Sequence, residues 1–467
     1  MNPQTKSEAQ NRDLGTEIWS FTRFLKQQVL EKADRSLWIL GTLLHSIQLF
    51  YIVNYAVNVP VADEWEALRP GNLERTLNWS WLFQLHNEHR IVPTKILTWI
   101  LLRVSDLNIV SQIYFNYFVF LVLAILVVRG FTRYFQVPGG FLFCLLSASL
   151  LHENHMWAFQ SQFHFFLLFF VSSLLCLSKS NAMRYFGPLF AAASVFSFGS
   201  GVVCAVFVVF YCAFQSIRVR KEKVFYLSSC AFIILAIAQW SWGFHKNPGH
   251  PDLAFPWTFS FWQHYLNALS LGFGFTELSI LPGAVLLVLL VVAGLYLFSL
   301  EFKASPFSHA PERNRYLSLF VFLLGIGGAV AAVSMARAGF GQGQAKSSRY
   351  AEISIMLLIP LWVASWKYFS TSPIRKLFHQ KVFPNFNAQA QNVVFALVMG
   401  ALFLAPYSHS FQWKKTYRPY FDSRKEGLRC VERLLADSNA GQCKTLYPGP
   451  ISEQLSHAKE MRVLFTQ

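Results

Sequence analysis

Three groups of side chains in this sequence have the types and spacing to do chemistry. The first is an acidic pair, Asp63–Glu64, followed by Trp65. It opens a polar stretch, 61–90, that also carries Glu66, Glu74, Glu88 and two histidines. A carboxylate here can take the proton of an attacking hydroxyl or steady the nucleophile. The plainer reading is a set of solvated loop acids. The second group is imidazole: HNEHR supplies His86, Glu88, His89 and Arg90, and HENH supplies His152, Glu153 and His155. Each motif has two histidines at i, i+3, which share a face on a helix. His86, His89, His152 and His155 are therefore candidate ligands for a divalent metal such as zinc or manganese. The alternative is histidines that hydrogen-bond a ligand or the backbone. The third group is Arg337 and Arg349, flanking a glycine-rich stretch that ends in SSRY. Guanidinium matches phosphate oxygens bidentately, and Gly339, Gly341 and Gly343 let backbone approach a ligand. Against this stand contact with anionic headgroups and an Arg349–Glu352 ion pair at i, i+3. No P-loop pattern is present.

The elements that must position these groups are apolar. The chain is 54% hydrophobic and 14% charged, where soluble domains carry roughly 25% charged residues. Apolar runs of about 20 residues recur, which predicts an all-α, polytopic transmembrane helix bundle. The net charge of +16 collects in short loops between those runs, as the positive-inside rule requires. This placement argues against nucleic acid as a partner. Residues 1–36 read as a basic cytoplasmic tail, 37–407 as the transmembrane domain and 408–467 as a polar outward tail. The first apolar run starts near Leu37, after a long polar stretch, and reads as a retained anchor. Five cysteines lie in apolar runs and read as inert. Cys430 and Cys443 lie in the tail, either as a disulfide in an oxidising compartment or as two free thiols.

About eleven spans are expected, near 37–59, 109–129, 138–151, 163–178, 185–199, 201–217, 224–242, 280–300, 316–335, 350–366 and 391–407. The run 91–104 is different. Lys95, Trp99 and Arg103 share one face, and a spanning helix would put both cations in hydrocarbon at roughly 2.5–3.5 kcal/mol each. A juxtamembrane helix resting along the headgroups avoids this. That choice sets the direction of every later span. The cations of the N-terminal tail and of the loops near 129–133, 179–184, 218–223, 303–315 and 367–381 then face inward. The later outward loops keep only Lys246, Arg337, Lys346 and Arg349. The polar clusters 62–65, 86–90, 152–162, 198–201, 245–252 and 337–350 all fall on the outer face. An interfacial enzyme would gather them so, whereas a transporter places polar groups near mid-membrane.

An outward loop with Asp63–Glu64, then a polar cluster leading through Pro93 into a juxtamembrane helix, resembles the GT-C superfamily of membrane glycosyltransferases. That superfamily includes protein O-mannosyltransferases and the aminoarabinose and galacturonic-acid transferases of lipid A. The resemblance covers roughly residues 37–365. Gln160-Ser161-Gln162 sits where mannosyltransferases carry Gln-Ser-Arg. His89 and Arg90 take the place of a His-Pro-Pro segment that this chain lacks. HNEHR with a later SRY also resembles a group of bacterial membrane proteins. The resemblance implies an inverting transfer of sugar from a polyprenyl-phosphate donor to a lipid-linked or cell-surface glycan, at the periplasmic face of a bacterial inner membrane. Asp63 would be the base, with Glu64 its partner. Arg337 and Arg349 would hold the donor phosphate, and Trp65, Trp157 and Tyr350 would stack on sugars. Glu88, His89, Arg90, His152, Glu153, His155 and Gln160 complete the expected binding set. An O-antigen polymerase or ligase and a transporter or flippase without chemistry stand as alternatives.

Overall fold

The structure, a computed structural model, describes residues 31–303, 315–371, 400, 404–437, 441–463 and 465. The first helix, α1 (Glu31–Tyr55), leads into the polar stretch. That stretch holds two short helices, α2 (Glu64–Ala67) and α3 (Trp79–Phe83), before α4 (Val92–Ser105) and α5 (Ile109–Phe135). The order continues with α6 (Gly140–Leu146), α7 (His152–Met156), α8 (Ser161–Leu177), α9 (Phe186–Val195), α10 (Gly199–Arg218), α11 (Lys223–Ser241) and α12 (Phe259–Leu271). It closes with α13 (Ile280–Lys303), α14 (Arg315–Arg337), α15 (Ser348–Ile355), α16 (Leu358–Thr371), α17 (Trp413–Ala436) and α18 (Ser452–Glu460). Among the described residues there is no strand.

Eight helical stretches are long and apolar enough to cross a membrane: Glu31–Tyr55, Ile109–Phe135, Ala158–Leu177, Gly199–Arg218, Arg220–Ser241, Ile280–Phe302, Arg315–Phe340 and Ser348–Ser370. Each coincides with an expected span. The expected spans at 138–151 and 185–199 instead form α6, of 7 residues, and α9, of 10. At about 1.5 Å per residue they are too short to cross roughly 30 Å of hydrocarbon alone. Local breaks stop them: Ser147 caps α6, and Phe196 to Phe198 separate α9 from α10. The expected span 391–407 lies mostly outside the described residues.

Two ends of the bundle can be told apart by contacts. At one, Gly140 N donates to Asp34 at 2.7 Å, Arg315 Nη1 donates to Tyr134 O, and Arg218 pairs with Glu301. Lys179 lies over the Tyr134 ring. This end carries described cations expected to face inward, among them Lys179, Arg218 and Arg315. At the other end, which carries Asp63, Val92 N donates to Phe196 O, Ala254 N to Met335 O and Ser149 N to Ser410 O. Between Gly140 and Ala158 the chain passes from the first end to the second, where Ala158 O accepts from Asn116 and Gln112. The core is aromatic and aliphatic: Phe120, Leu123, Phe166, Phe170 and Phe322 are fully buried between α5, α8 and α14. The flanking helices α11 and α13 expose Leu235, Val288, Val292 and Leu295. That is the pattern of side chains that meet lipid rather than water.

Helix α4 matches the expected juxtamembrane element in extent, and its apolar face, Ile96, Ile100 and Val104, is exposed. Its cationic face does not rest on headgroups as expected. The loop 61–90 folds onto it, so Lys95 is buried and its Nζ donates to Trp81 O (2.5 Å) and Gln84 O (2.8 Å). Carbonyl oxygens replace the ammonium's water, the condition for burying a charge. Only Arg103 stays exposed, bonded to Arg75 O. The C-terminal segment is likewise not a loose tail. Helix α17 is 24 residues long, Cys430 and Cys443 form a disulfide, and Leu446 O accepts from Ala62 N at 2.6 Å. Arg75 Nη2 donates to Met461 O, and His457 Nε2 meets Leu73 O. The tail therefore clamps the backbone on both sides of the acidic pair.

Candidate functional site

A cavity of about 450 Å³ opens at the Asp63 end of the bundle. Five elements supply its polar groups: the N-cap of α2 gives Asp63, the turn before α4 gives His86 to His89, the start of α8 gives Gln162, the end of α14 gives Arg337, and the start of α15 gives Arg349 and Tyr350. Apolar side chains line it as well: Trp240, Phe244, Val333, Ala336 and Phe340, the last beneath Arg337.

Asp63 is the N-cap residue of α2, but its side chain bonds no helix N–H, so the carboxylate is available to the cavity. Its Oδ2 lies 3.6 Å from His86 Nε2. Burial alone would raise its pKa. The contact with His86 and its charge, and then Arg349 and Arg337, outweigh burial and hold it below the ordinary carboxylate value. The group is an anion at neutral pH.

HNEH is not a helix. His86 N donates to His89 O at 2.7 Å and His89 N to His86 O at 2.9 Å, so the four residues form a tight hairpin turn with Asn87 at φ 50°. The i, i+3 rule for sharing a helical face does not apply, yet both imidazoles reach the cavity by this different route. Glu88 pairs with His250 Nδ1, and its other oxygen lies 3.6 Å from Arg337 Nη2. His89 is tilted against Phe198 with ring centroids 4.4 Å apart, and its Nδ1 has no hydrogen-bond partner. Burial, and then the positive charge of Arg337, lowers His89 to about 3, so it works as a neutral ring.

Arg349 sits over the Tyr350 ring at 5.3 Å and donates to Gln344 Oε1 at 3.2 Å. Its Nε is buried without a hydrogen-bond partner. Glu153 holds this arginine in place rather than lining the cavity. One of its oxygens accepts from Ser347 Oγ (2.9 Å) and Arg349 N (3.1 Å), and the other stands 3.9 Å from the guanidinium. The alternative Arg349–Glu352 pair does not form. Glu352 is wholly buried and bonds His164 Nδ1 and Asn154 Nδ2, each at 2.7 Å. Of the glycines in the 339–343 stretch, Gly339 packs closely on Pro251, where an added Cβ would come within 2.7 Å, whereas Gly341 and Gly343 face open space and Gly341 takes φ 99° at a turn between two short helical turns.

The cavity thus brings together Asp63, Glu88, His89, Gln160, Arg337, Arg349 and Tyr350 from the expected set. Six residues of that set are elsewhere, and Trp157, expected to stack on a sugar, is not among the residues that line the cavity either. Glu64 turns away, and its oxygens accept from Val61 N at 2.8 Å and Phe159 N at 2.9 Å while it faces buried Arg424. Trp65 is fully buried against Phe465 and cannot stack on a ligand. Arg90 ties the loop to α11 through the carbonyls of Phe83, Trp240 and Trp242. His152 bonds Ser149 O and packs edge-on against Tyr420. His155 is buried beside Gln48, and burial keeps it well below the ordinary imidazole pKa. Glu153 is the sixth. The four candidate metal histidines are therefore split, with only His86 and His89 at the cavity. Among the described residues no three His, Cys, Asp or Glu side chains converge to hold a metal ion.

Gln162 of the Gln160-Ser161-Gln162 stretch also lines the cavity, as do His250, Gln344 and Phe340, which were not singled out from the sequence. His250 lies in HKNPGHPD, a polar cluster between apolar runs, and that context was its one signal. No protein-family model, no curated protein and no solved structure matches this chain.

Proposed function

We propose that this chain is a membrane glycosyltransferase of the inverting kind, using a polyprenyl-phosphate sugar at the Asp63 end of the bundle. The observation that carries the reading is one cavity with an ionised carboxylate, two arginines and an apolar flank. A donor that is half lipid and half sugar phosphate has the matching chemistry. Its first isoprene units would lie along Trp240, Phe244, Val333 and Phe340. Its phosphate would meet Arg349, and Arg337 across the Glu88 pair.

In the reaction the acceptor hydroxyl oxygen attacks the anomeric carbon and forms the new glycosidic bond. The bond from that carbon to the phosphate oxygen breaks, and the phosphate leaves with the electron pair. The hydroxyl proton passes to Asp63. Its depressed pKa keeps it ionised and ready, and His86 orients it. The guanidinium of Arg349 offsets the charge that grows on the leaving oxygen, the kind of fixed electrostatic support that usually contributes most. Neutral His89 can bond a sugar hydroxyl through its unpartnered Nδ1 without adding charge. In this reading the Asp63 end faces the periplasm, and the acceptor is a lipid-linked or cell-surface glycan.

Mass spectrometry of lipid-linked and envelope glycans tests this, comparing bacterial cells with and without the chain and with Asp63→Asn. A glycan that disappears in both deficient strains supports the proposal. Unchanged glycans in the strain without the chain would remove it. Transfer that survives Asp63→Asn but fails in Arg349→Lys would move the chemistry to a guanidinium-led ligase or polymerase.

A further inference from the structure

A second cavity, of about 370 Å³, lies behind the first. Asp63, His86, Asn87 and Phe159 line both. The candidate base therefore stands in the partition between two spaces of different character. The first has an apolar flank. The second is lined by polar groups on loop 61–90 and the inner face of α4, among them Asn72, Gln84, Thr94 and Thr98. Its volume lies within the range of small-molecule sites.

The charges around this second space are nearly all matched. Glu66 is held by Arg69 at 2.8 Å and by Tyr447, and Asp63 by His86. Lys95 is the exception. Its ammonium lies over the Trp81 ring at 5.3 Å and donates to two carbonyls, and an ammonium has three N–H donors. Among the described residues it has no carboxylate partner. A buried cation with a spare donor, an aromatic face beneath it and a polar cavity in front recognises a sugar that carries one negative charge.

We infer that the second cavity is the acceptor site and that Lys95 selects an acceptor sugar bearing a carboxylate, with Trp81 beneath it. This rests on the proposed transfer reaction, because only that reaction makes the partition at Asp63 the meeting point of hydroxyl and anomeric carbon. A monoanionic carboxylate is favoured over a phosphate because a single ammonium balances one charge and leaves the second charge of a phosphate buried and unpaired.

Titration calorimetry on the full chain in lipid nanodiscs tests it with three probes: p-nitrophenyl β-D-glucuronide, p-nitrophenyl β-D-glucoside and glucose 6-phosphate. The glucuronide should bind at least about tenfold more tightly than the glucoside, which is about 1.4 kcal/mol. Lys95→Met should remove the preference and Lys95→Arg should keep most of it. Since Lys95→Met also frees two carbonyls, the native chain supplies an independent check. Burial and then Arg90 push the Lys95 amine down to about 7, and Asp63, Glu66, Arg69 and His86 face it across the cavity. The preference should be strong at pH 6 and fade by pH 8.5. Equal binding of glucuronide and glucoside at pH 6, tighter binding of glucose 6-phosphate, or a preference unmoved in Lys95→Met would each overturn the inference. Asp63→Asn separates the two readings: it should abolish transfer and leave the glucuronide preference intact. A preference found without any transfer would sink the reaction and spare the anion site.

Discussion

Glu64 offers the sharpest test of how this site is built, because its neighbour Asp63 differs from it by one residue and by everything else. Glu64 closes a buried arrangement in which two backbone N–H groups, of Val61 and Phe159, donate to its oxygens at 2.8 and 2.9 Å and the Arg424 guanidinium faces it. Glu64→Ala leaves two buried donors unpaired, at about 1–3 kcal/mol each. It also takes away the carboxyl group that faces the buried Arg424. These losses overlap, and together they are still a large share of the ~5–15 kcal/mol that holds an ordinary domain. Glu64→Gln keeps the shape and one acceptor, and should lose about 1–3 kcal/mol. Its deficit should also depend on pH. Burial pushes the Glu64 carboxyl up to about 7, although Arg424 pulls the other way. The folded state therefore prefers the protonated acid. The cost of ionising it is absent below the ordinary value near 4.5 and complete above about 7, and reaches at most about 3 kcal/mol. Glutamine cannot ionise, so its deficit against the native chain should be largest at pH 5 and shrink toward pH 8. Thermal unfolding in detergent, followed by fluorescence-detected size exclusion at several pH values, reads both effects. An Ala variant that melts within a degree or two of the native chain would refute the buried clamp, and so would a Gln deficit that grows with pH.

Asp63→Asn should lose about 10²–10⁴-fold in transfer rate, the usual weight of a positioned base, with little change in melting temperature. In the native chain, lowering the pH from 7 to about 5 should not slow transfer, because the Asp63 pKa is depressed rather than raised; a fall in rate between pH 7 and 6 would count against it. Arg90→Met should lower the melting temperature by loosening the loop from α11, since charged hydrogen bonds to carbonyls contribute about 1.5–3 kcal/mol each; accelerated proteolysis near Leu85 is the companion readout. Gly199→Ala puts a Cβ 2.7 Å from His89 Nδ1, and that ring is already held against Phe198. Transfer should fall several-fold or more while membrane expression stays normal. A Gly199→Ala chain with full activity would mean that the position of His89 does not matter.

Much of the architecture was legible from hydropathy. The eight long stretches sit where apolar runs stand in the sequence, and α4 emerged as a non-spanning helix from the spacing of Lys95, Trp99 and Arg103. What misled was local punctuation. The runs at 138–151 and 185–199 are apolar enough to read as spans, but they form short, interrupted helices; α6 is wholly buried, and a buried segment can break where a lipid-exposed one cannot. The HNEH motif misled in another way. Two histidines at i, i+3 look alike on a helix and in a hairpin turn, and only backbone pairing tells the two apart. Three of the expected ligands that lie elsewhere share one cause: Glu64, Arg90 and Glu153 are used to join elements distant in sequence, and that use leaves no local trace.

The amino-acid sequence by itself determined that this is an all-helical chain with membrane-length apolar segments, and that its unusual polar groups fall between particular pairs of them. Those properties follow from composition and from periods of a few residues, which short-range sterics and hydration set. Tertiary structure alone decided which carboxylate of the acidic pair opens to the cavity and which is spent on backbone donors. It also decided that Lys95 lies under the loop, and that His250 meets Glu88 across 162 residues. A side chain's role depends on which distant groups satisfy it once water is removed, and that is a property of the packed molecule.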